Sequence, residues 1–282
     1  MERSKDTIKL PHSRVCSGFK LTRDAYYKYQ KRKVKSDREV EKVLELVKER
    51  RKELPREGVR KLHYVLQEEF KEHKLKIGRD RLFKILRMQN MLIRPKRSSV
   101  RTTNSYHHFH TYNNLIKSFT PTHSNQVWVS DITYIRLVRG FCYLALITDV
   151  YSRKIVGYDI SDSLELAGCL RALKIALRQA RPETGLIHHS DRGVQYCSHQ
   201  YTQLLHKFNI RISMTEQDHC YENAIAERVN GILKDEFYID QIFLNLDIAK
   251  KACKNAIHIY NTKRLHLSLG YKTPESMFKI IA

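Results

Sequence analysis

The stretch Trp128-Val-Ser-Asp-Ile-Thr-Tyr-Ile135 places one carboxylate, Asp131, in the middle of an apolar run that has the alternation of a β-strand. Burying an isolated carboxylate is costly unless it is paired or binds a metal ion. Two other carboxylates have comparable surroundings: Asp191 ends a short apolar run, and Glu227 lies in the helical stretch 221–237. Carboxylates on two strands and a helix are able to hold two divalent ions. Two such ions about 4 Å apart activate a water or hydroxyl and stabilise the leaving oxygen in phosphodiester chemistry.

The chain of 282 residues carries a large positive charge. Lys and Arg total 52 against 30 Asp and Glu, which gives a formal net charge of +22 at pH 7. An excess of this size attracts nucleic acid and makes the affinity sensitive to salt. A merely solvated surface is the alternative explanation. Because the same chain carries a candidate site for phosphodiester chemistry, we favour a nucleic-acid substrate.

The cysteines and the apolar segments indicate where the protein works. The six cysteines form no CxxC pair and show no zinc-finger spacing, so we expect a reduced, cytosolic protein. No apolar run approaches the roughly 20 residues of a membrane span. The first twenty residues lack the apolar centre of a signal peptide. We therefore expect no membrane partner.

The N-terminal part of the chain predicts a basic helical region that binds DNA. Residues 1–36 are rich in Tyr and Lys, and they form either a DNA-contacting arm or a short helix with a solvated linker. Residues 37–95 predict three helices, the first capped by Asp37 and the third opened by Gly78. The third helix has a basic face, which suits a helix-turn-helix domain that enters a DNA groove. The DNA-binding candidates on that face are Arg79, Arg81, Lys84 and Arg87.

After a linker at residues 96–124, residues 125–240 predict a mixed α/β domain. The predicted strands lie at 127–138, 141–148, 154–160, 185–189 and 210–213, and the predicted helices at 164–179, 198–208 and 222–237. The order β-β-β-α-β-α-β-α is that of a ribonuclease H-like core. The expected fold class is therefore α/β, a mixed sheet flanked by helices and preceded by an all-α helix-turn-helix domain. Residues 241–282 predict a C-terminal helix and a basic tail.

The helix that carries Glu227 has two further DNA-binding candidates on the same face. Asn223 lies four residues before Glu227, and Lys234 lies seven residues after it. A lysine two turns from a metal-binding glutamate is able to hold a DNA phosphate close to the metals; an ordinary surface lysine is the alternative. Asp149 is the main competitor for the catalytic role, and we interpret it as structural, paired with Arg153.

At these residues the chain resembles the OrfB-type transposases of the IS3 family of bacterial insertion sequences, within the retroviral integrase core superfamily. The resembling motifs lie at residues 128–135, 143–157, 188–196, 213–234 and 260–274. Residues 37–95 also resemble the helix-turn-helix segment that precedes the core in this family. The resemblance implies a DDE transposase in which Asp131, Asp191 and Glu227 are the catalytic residues and the metal ligands. It also implies that Lys234 lies near the terminal DNA.

The resemblance further implies an activity, cofactors and partners. The expected activity is metal-dependent DNA cleavage and strand transfer at the ends of an insertion sequence. The expected cofactors are two Mg²⁺ ions, with Mn²⁺ able to substitute. The expected partners are the terminal inverted repeats, the target DNA, at least one further copy of the chain, and an upstream OrfA product joined by frameshifting. Such a protein works in the bacterial cytoplasm, associated with the nucleoid.

Two alternative functions are compatible with the same residues. A ribonuclease H-like nuclease that cuts but does not join shares the core sequence. An inactive DNA-binding repressor derived from a transposase shares the basic helices.

The sequence departs from the family pattern at two positions. They are Asp218, where the family usually has glycine, and Glu222, where aspartate is more usual. Loss of a glycine is expected to strain that loop.

Overall fold

The structure, a computed structural model, describes residues 16–93, 110–180, 185–216 and 223–278. The chain forms two compact units, one of Met1–Arg50 with Leu62–Leu92 and the other of Arg51–Lys61 with Ile93–Ala282. Several predicted features lie outside the described residues: the start of the basic arm, much of the linker, and the loop that contains Asp218 and Glu222. No helix within the described residues is both long enough and apolar enough to cross a membrane.

Helices account for most of the described residues between 16 and 93. They are α1 (Arg23–Glu53), α2 (Val59–Val65), α3 (Gln67–Glu72) and α4 (Arg79–Met88). The buried side chains of the first unit include Val43, Val47, Leu62, Leu66, Phe70, Leu82, Ile85 and Leu86. They recur at helical spacing, so each helix buries one apolar stripe.

The helix boundaries in this region differ from the prediction at two places. Helix α1 begins at Arg23 rather than after Asp37, because Thr22 caps it by accepting a hydrogen bond from the backbone N–H of Ala25 at 3.1 Å. The segment that follows contains many good helix formers and neither Gly nor Pro. The predicted second helix is two helices with a turn at Leu66. The predicted start of the third helix is confirmed, since Gly78 is the N-cap of α4.

A five-stranded sheet forms the centre of the second unit. Its strands are β1 (Val127–Arg136), β2 (Phe141–Asp149), β3 (Ile155–Ser161), β4 (Ile187–Ser190) and β5 (Arg211–Met214). The spatial order is β3-β2-β1-β4-β5, with β1 to β3 antiparallel and with β4 and β5 parallel to β1. This mixed sheet confirms the predicted ribonuclease H-like α/β core.

Helices cover both faces of this sheet. They are α5 (Leu166–Ala180), α6 (Val194–Cys197), α7 (His199–Lys207), α8 (Ala224–Glu236), α9 (Leu246–Thr262) and α10 (Pro274–Met277). Alternate residues of β2 belong to different cores: Ala145 and Ile147 pack with α5 and α7, whereas Leu144 and Leu146 pack with α8 and α9. Burial on both faces explains why β2 is a nearly continuous apolar run.

Candidate active site

Asp131 lies on the face of β1 that α8 and α9 cover. Its side chain points to the same side of the strand as those of Val129 and Ile135, which are buried there. Asp131 Oδ1 accepts a hydrogen bond from the backbone N–H of Ile132 at 2.8 Å. Asp131 Oδ2 accepts one from Asn230 Nδ2, on α8, at 2.7 Å. The carboxylate is thus held by its own strand and by the helix opposite.

The register of the sheet brings Asp191 next to Asp131. Strands β1 and β4 are parallel, with Ser130 paired to Ser190. The residues that follow this pair are Asp131 and Asp191, and neighbouring strands are about 5 Å apart. Asp191 Oδ1 accepts a hydrogen bond from the backbone N–H of Gly193 at 3.0 Å, so the turn after β4 orients the carboxylate.

Glu227 lies in the first turn of α8 with an exposed side chain. Asn230 and Lys234 follow it at three and seven residues, so all three share one face of the helix. Because Asn230 bonds to Asp131, this face points toward the carboxylate on β1. The structure therefore brings Glu227 to the same side of the sheet as the two aspartates.

The pKa of Asp131 is raised by burial and by the negative charges of Asp191 and Glu227. It is raised from its ordinary value to about 7, first by burial, then by the negative charge of Asp191, with a smaller contribution from Glu227. The hydrogen bonds from Asn230 and Ile132 oppose this shift. Among the described residues, no three His, Cys, Asp or Glu side chains are already close enough to enclose a metal ion. The three carboxylates thus interact electrostatically without forming a closed set of ligands.

Two other predicted site residues lie on this helix. Lys234 is partly buried, and burial lowers its pKa while the charge of Asp131 acts in the opposite direction. The ammonium group of Lys234 is therefore within the field of the carboxylates. Asn223 is only 5% exposed, and its Nδ2 donates to the backbone carbonyl of Ser130 at 3.0 Å. Asn223 thus fastens the start of α8 to β1, and its contact with DNA stays a prediction.

Sequence comparisons give the family of the chain. The Integrase core domain family matches residues 121–220, and a second family model of the same description matches residues 208–274. The chain is 37% identical to an insertion element IS600 protein of 31 kDa from Shigella sonnei, over 92% of this chain and 96% of that protein. It is 32% identical to the transposase for insertion sequence element IS904 from Lactococcus lactis subsp. lactis (strain IL1403), over 74% and 90%.

A third relative is the transposase InsF for insertion sequence IS3A of Escherichia coli (strain K12). The identity is 35%, over 58% of this chain and 57% of that protein. The chain belongs to the IS3-type DDE transposases. It is thus a polynucleotidyl transferase of the integrase-core family, and DNA is the substrate of the transposase. Among solved structures, one match is the catalytic core domain of HTLV-2 integrase in complex with magnesium. The match covers 57% of the transposase and 100% of the HTLV-2 chain, at 17% identity and a TM-score of 0.46.

Buried histidines of the transposase support the sheet behind the carboxylates. His188 Nε2 lies 2.7 Å from Ser130 Oγ and 3.0 Å from the hydroxyl of Tyr201. Burial lowers the pKa of His188 to about 3, so the ring is neutral. His189 Nδ1 lies 2.8 Å from Ser213 Oγ. These contacts join β4 to β1 and β5, so they hold the two aspartates in register.

Asp149, the main competing carboxylate, has a structural position. Its side chain is fully buried, and Oδ1 accepts hydrogen bonds from the backbone N–H and the hydroxyl of Ser152 at 2.8 and 2.5 Å. Oδ2 accepts one from the backbone N–H of Asn125 at 2.8 Å. Its hydrogen-bond donors are therefore Ser152 and Asn125. Burial raises the pKa of Asp149, and the charge of the predicted partner Arg153 opposes this shift without a hydrogen bond to the carboxylate. Asp149 closes the turn after β2.

Helix α4 exposes the four predicted DNA-binding cations and buries Leu82, Ile85 and Leu86. The exposed cations are Arg79, Arg81, Lys84 and Arg87. Two of the guanidinium groups also form ion pairs within the first unit. Arg79 donates to Asp80 at 2.9 Å, and Arg81 donates to Glu39 at 2.8 Å. Exposed pairs of this kind contribute little to stability, so exchanging them for contacts with other anions would cost little.

The stability of the metal-free transposase should depend on pH through Asp131. Its pKa is about 7 in the folded chain and about 3.9 in the unfolded chain. Between these values the unfolded chain releases a proton that the folded chain retains, so the free energy of unfolding falls as the pH rises. Asp131→Asn removes this loss. We expect the free energy of unfolding of the variant, relative to that of wild type, to rise by about 2 kcal/mol between pH 4 and pH 8. This is less than the full pKa shift implies, because the Asp131 side chain is partly exposed.

Urea denaturation in EDTA at the two pH values measures this change. Asp162→Asn is the matched control, because Asp162 is exposed and lies just beyond β3. The control should show the same pH dependence as wild type. An Asp131→Asn variant whose stability difference from wild type is constant between pH 4 and pH 8 would contradict the assignment of this shift.

Proposed function

We propose that Asp131, Asp191 and Glu227 are the catalytic residues of the transposase and that they bind two Mg²⁺ ions, for which Mn²⁺ can substitute. The observation that carries the proposal is the pairing of Ser130 with Ser190, which sets two carboxylates side by side. The raised pKa of Asp131 supports it, because a buried cluster of negative charge is stabilised by cations. Carboxylate oxygens are also the ligands that Mg²⁺ prefers.

The proposed reaction is cleavage of the phosphodiester at the end of the element, followed by strand transfer. When bound, the metal ions would activate the attacking oxygen and stabilise the leaving oxygen. The protein aligns the scissile phosphate with its attacker, and this alignment lowers the barrier. The freed 3′-OH then attacks the target phosphodiester, so no covalent protein–DNA intermediate forms. Lys234 would hold a neighbouring DNA phosphate.

The DNA partners that we propose are the terminal inverted repeats of the element and the target DNA. Two ends must be held together, so we propose at least a dimer of the chain on DNA, in association with the nucleoid. A fusion with an upstream OrfA product remains part of the proposal. We also retain the division into an arm, a helix-turn-helix domain at 37–95, a linker, a core at 125–240 and a tail. Helix α1 crosses the boundary between arm and domain.

The basic face of α4 should determine the affinity for DNA. Lys84 and Arg87 are exposed on this helix. Removing one cation that neutralises a DNA phosphate lowers the slope of log affinity against log salt concentration by about one. We expect the double variant Lys84→Gln/Arg87→Gln to bind the element ends at least about tenfold more weakly, with a shallower salt slope. Fluorescence anisotropy at several salt concentrations measures both quantities. Lys71→Gln is the control, since Lys71 is exposed outside α4 and pairs with Glu68.

An assay of joined element ends tests the proposed function. The chain, alone and fused to its upstream reading frame, is expressed beside a plasmid that carries the native flanking DNA. PCR then detects abutted ends for wild type and for Glu227→Gln. Joined ends from wild type alone support the proposal. Nicked DNA without joints from the fused form indicates a nuclease, and DNA binding without any product indicates a repressor; either result contradicts the proposed strand transfer.

A further inference from the structure

A cavity of about 640 Å³ lies within the second unit, beside α8 and the end of α9. Its walls carry more positive than negative charge. The cations are Arg56, Lys61, Arg153, Arg228 and Arg264, and the carboxylates are Asp235 and Glu236. Arg228 follows Glu227 directly, so the two side chains leave the helix about 100° apart. The cavity is therefore on a different side of α8 from the carboxylates of the proposed active site.

One carboxylate in this cavity is shared by two buried cations. Arg264 is 4% exposed and donates to both oxygens of Glu236, at 2.8 and 2.6 Å. Lys61 is 8% exposed, and its Nζ lies 3.5 Å from Glu236. Two positive charges thus share this carboxylate, and the other nearby carboxylate, that of the buried Glu57, acts on both Lys61 and Arg51. Such an imbalance is stabilised when a further anion binds.

Two buried nitrogen atoms also lack a hydrogen-bond partner among the described residues. They are Nη1 of Arg153 and Nε2 of His266, both of which belong to residues that line the cavity. His266 is only 7% exposed. Buried polar nitrogens are normally paired, so two unpaired nitrogens on residues that line one cavity indicate a missing acceptor. The guanidinium group donates only, and the neutral imidazole donates from Nε2 in one of its tautomers.

The pKa values of the same groups reflect this positive field. Burial, followed by the charges of Arg264 and Lys61, lowers the pKa of His266 to about 2. Burial and then Arg264 lower the pKa of Lys61 to about 8. A bound anion would oppose both shifts. The lowered pKa values of His266 and Lys61 therefore agree with the excess of positive charge around the cavity.

The cavity is several times larger than a phosphate group, and part of its wall is apolar. The apolar lining includes Ile225, Val229, Ile232 and Leu267. A ligand with an anionic end and a flat or aliphatic body fits this division. A nucleotide has both, because its phosphate is anionic and its base presents an apolar face.

We propose that this cavity is a second phosphate-binding site, which takes the phosphate group of a nucleotide against Arg153, Arg228 and His266. The nucleotide is either part of a DNA strand or free in solution, and the phosphate chemistry is the same for both. The proposal does not depend on the assignment of the three catalytic carboxylates. A failure of either proposal is therefore recognisable separately.

Thermal unfolding of the full chain in EDTA tests the site. Inorganic phosphate and then deoxyadenosine monophosphate are titrated, with chloride added to hold the ionic strength constant. Wild type should show a saturable rise in Tm. Arg153→Gln and Arg228→Gln should each weaken the apparent affinity by about tenfold or more, because each removes a charge-assisted hydrogen bond. Arg211→Gln is the matched control, since Arg211 is exposed on β5 and does not line the cavity.

Competition by a short single-stranded DNA separates the two sources of the phosphate. Displacement of the bound mononucleotide by the DNA identifies a strand as the ligand, and its absence identifies a free nucleotide or phosphate. Arg228→Gln keeps the test decisive if Arg153→Gln fails to fold, because the Arg228 side chain is exposed. A rise in Tm that does not saturate, or that is equal in Arg228→Gln and Arg211→Gln, overturns the proposal.

Discussion

Asp131→Asn, Asp191→Asn and Glu227→Gln should each slow DNA cleavage and strand transfer by about 1,000-fold or more, with little change in DNA affinity. Each change keeps the shape of the side chain and removes one negative charge. The metal ions would then lack a charged ligand where charge develops on the phosphate oxygens. Affinity should be retained because most binding energy comes from contacts with the phosphate backbone elsewhere.

Purified protein and a DNA substrate that carries one element end provide the measurement. Rates of strand nicking and joining are compared with the dissociation constant from anisotropy. Asp162→Asn is the control, since it removes an exposed carboxylate from the same unit. Wild-type rates in any of the three variants would remove that residue from the site. Loss of activity together with loss of binding would indicate misfolding instead.

Asn230→Ala should have the second largest effect. Asn230 is 5% exposed, and its amide donates to Asp131 at 2.7 Å, so it fixes the direction of that carboxylate. Groups that orient a metal ligand contribute about 10- to 100-fold in metal affinity or activity. We expect a rate lowered by this factor at fixed Mg²⁺, and a higher Mg²⁺ concentration for the half-maximal rate.

A titration of the nicking rate with Mg²⁺ separates this role from a general loss of stability. Asn255→Ala on α9 is the control, because Asn255 is an exposed asparagine on a helix of the same unit. Asn230 acts as a positioning residue if excess Mg²⁺ partly restores the rate of Asn230→Ala. An unchanged half-maximal concentration with a lower rate would contradict that role.

The sequence was sufficient for the order of the five strands and for the position of the two aspartates at their strands. Each strand of the core has a clear alternation or a buried run, and each is bounded by Gly or polar turns. Asp131 was recognisable because a lone carboxylate interrupts an apolar strand. Its contact with Asp191 could not be derived from the sequence alone, since it depends on the register of a four-residue parallel strand. Short parallel strands carry little register information in their own sequence.

Helix α8 shows where the sequence was less informative. Its bounds and its Glu227 face were predicted, but Asn230 was overlooked although it shares that face with Glu227 and Lys234. An Asn in a helix does not reveal whether it faces solvent or a buried acceptor. The bond from Asn223 to the backbone of β1 was not foreseen for the same reason, and its predicted contact with DNA stays a prediction. The start of α1 was misplaced because a basic segment is compatible with either a helix or an arm.

The number of Mn²⁺ ions bound per chain in the complex with terminal DNA tests the central claim most directly. Electron paramagnetic resonance of a Mn²⁺ titration gives this number for wild type and for Asp191→Asn. We expect about two bound ions in wild type. The Asp191→Asn variant should lose at least one of them while the DNA stays bound. Equal Mn²⁺ binding by the two proteins would contradict the assignment of these carboxylates as metal ligands.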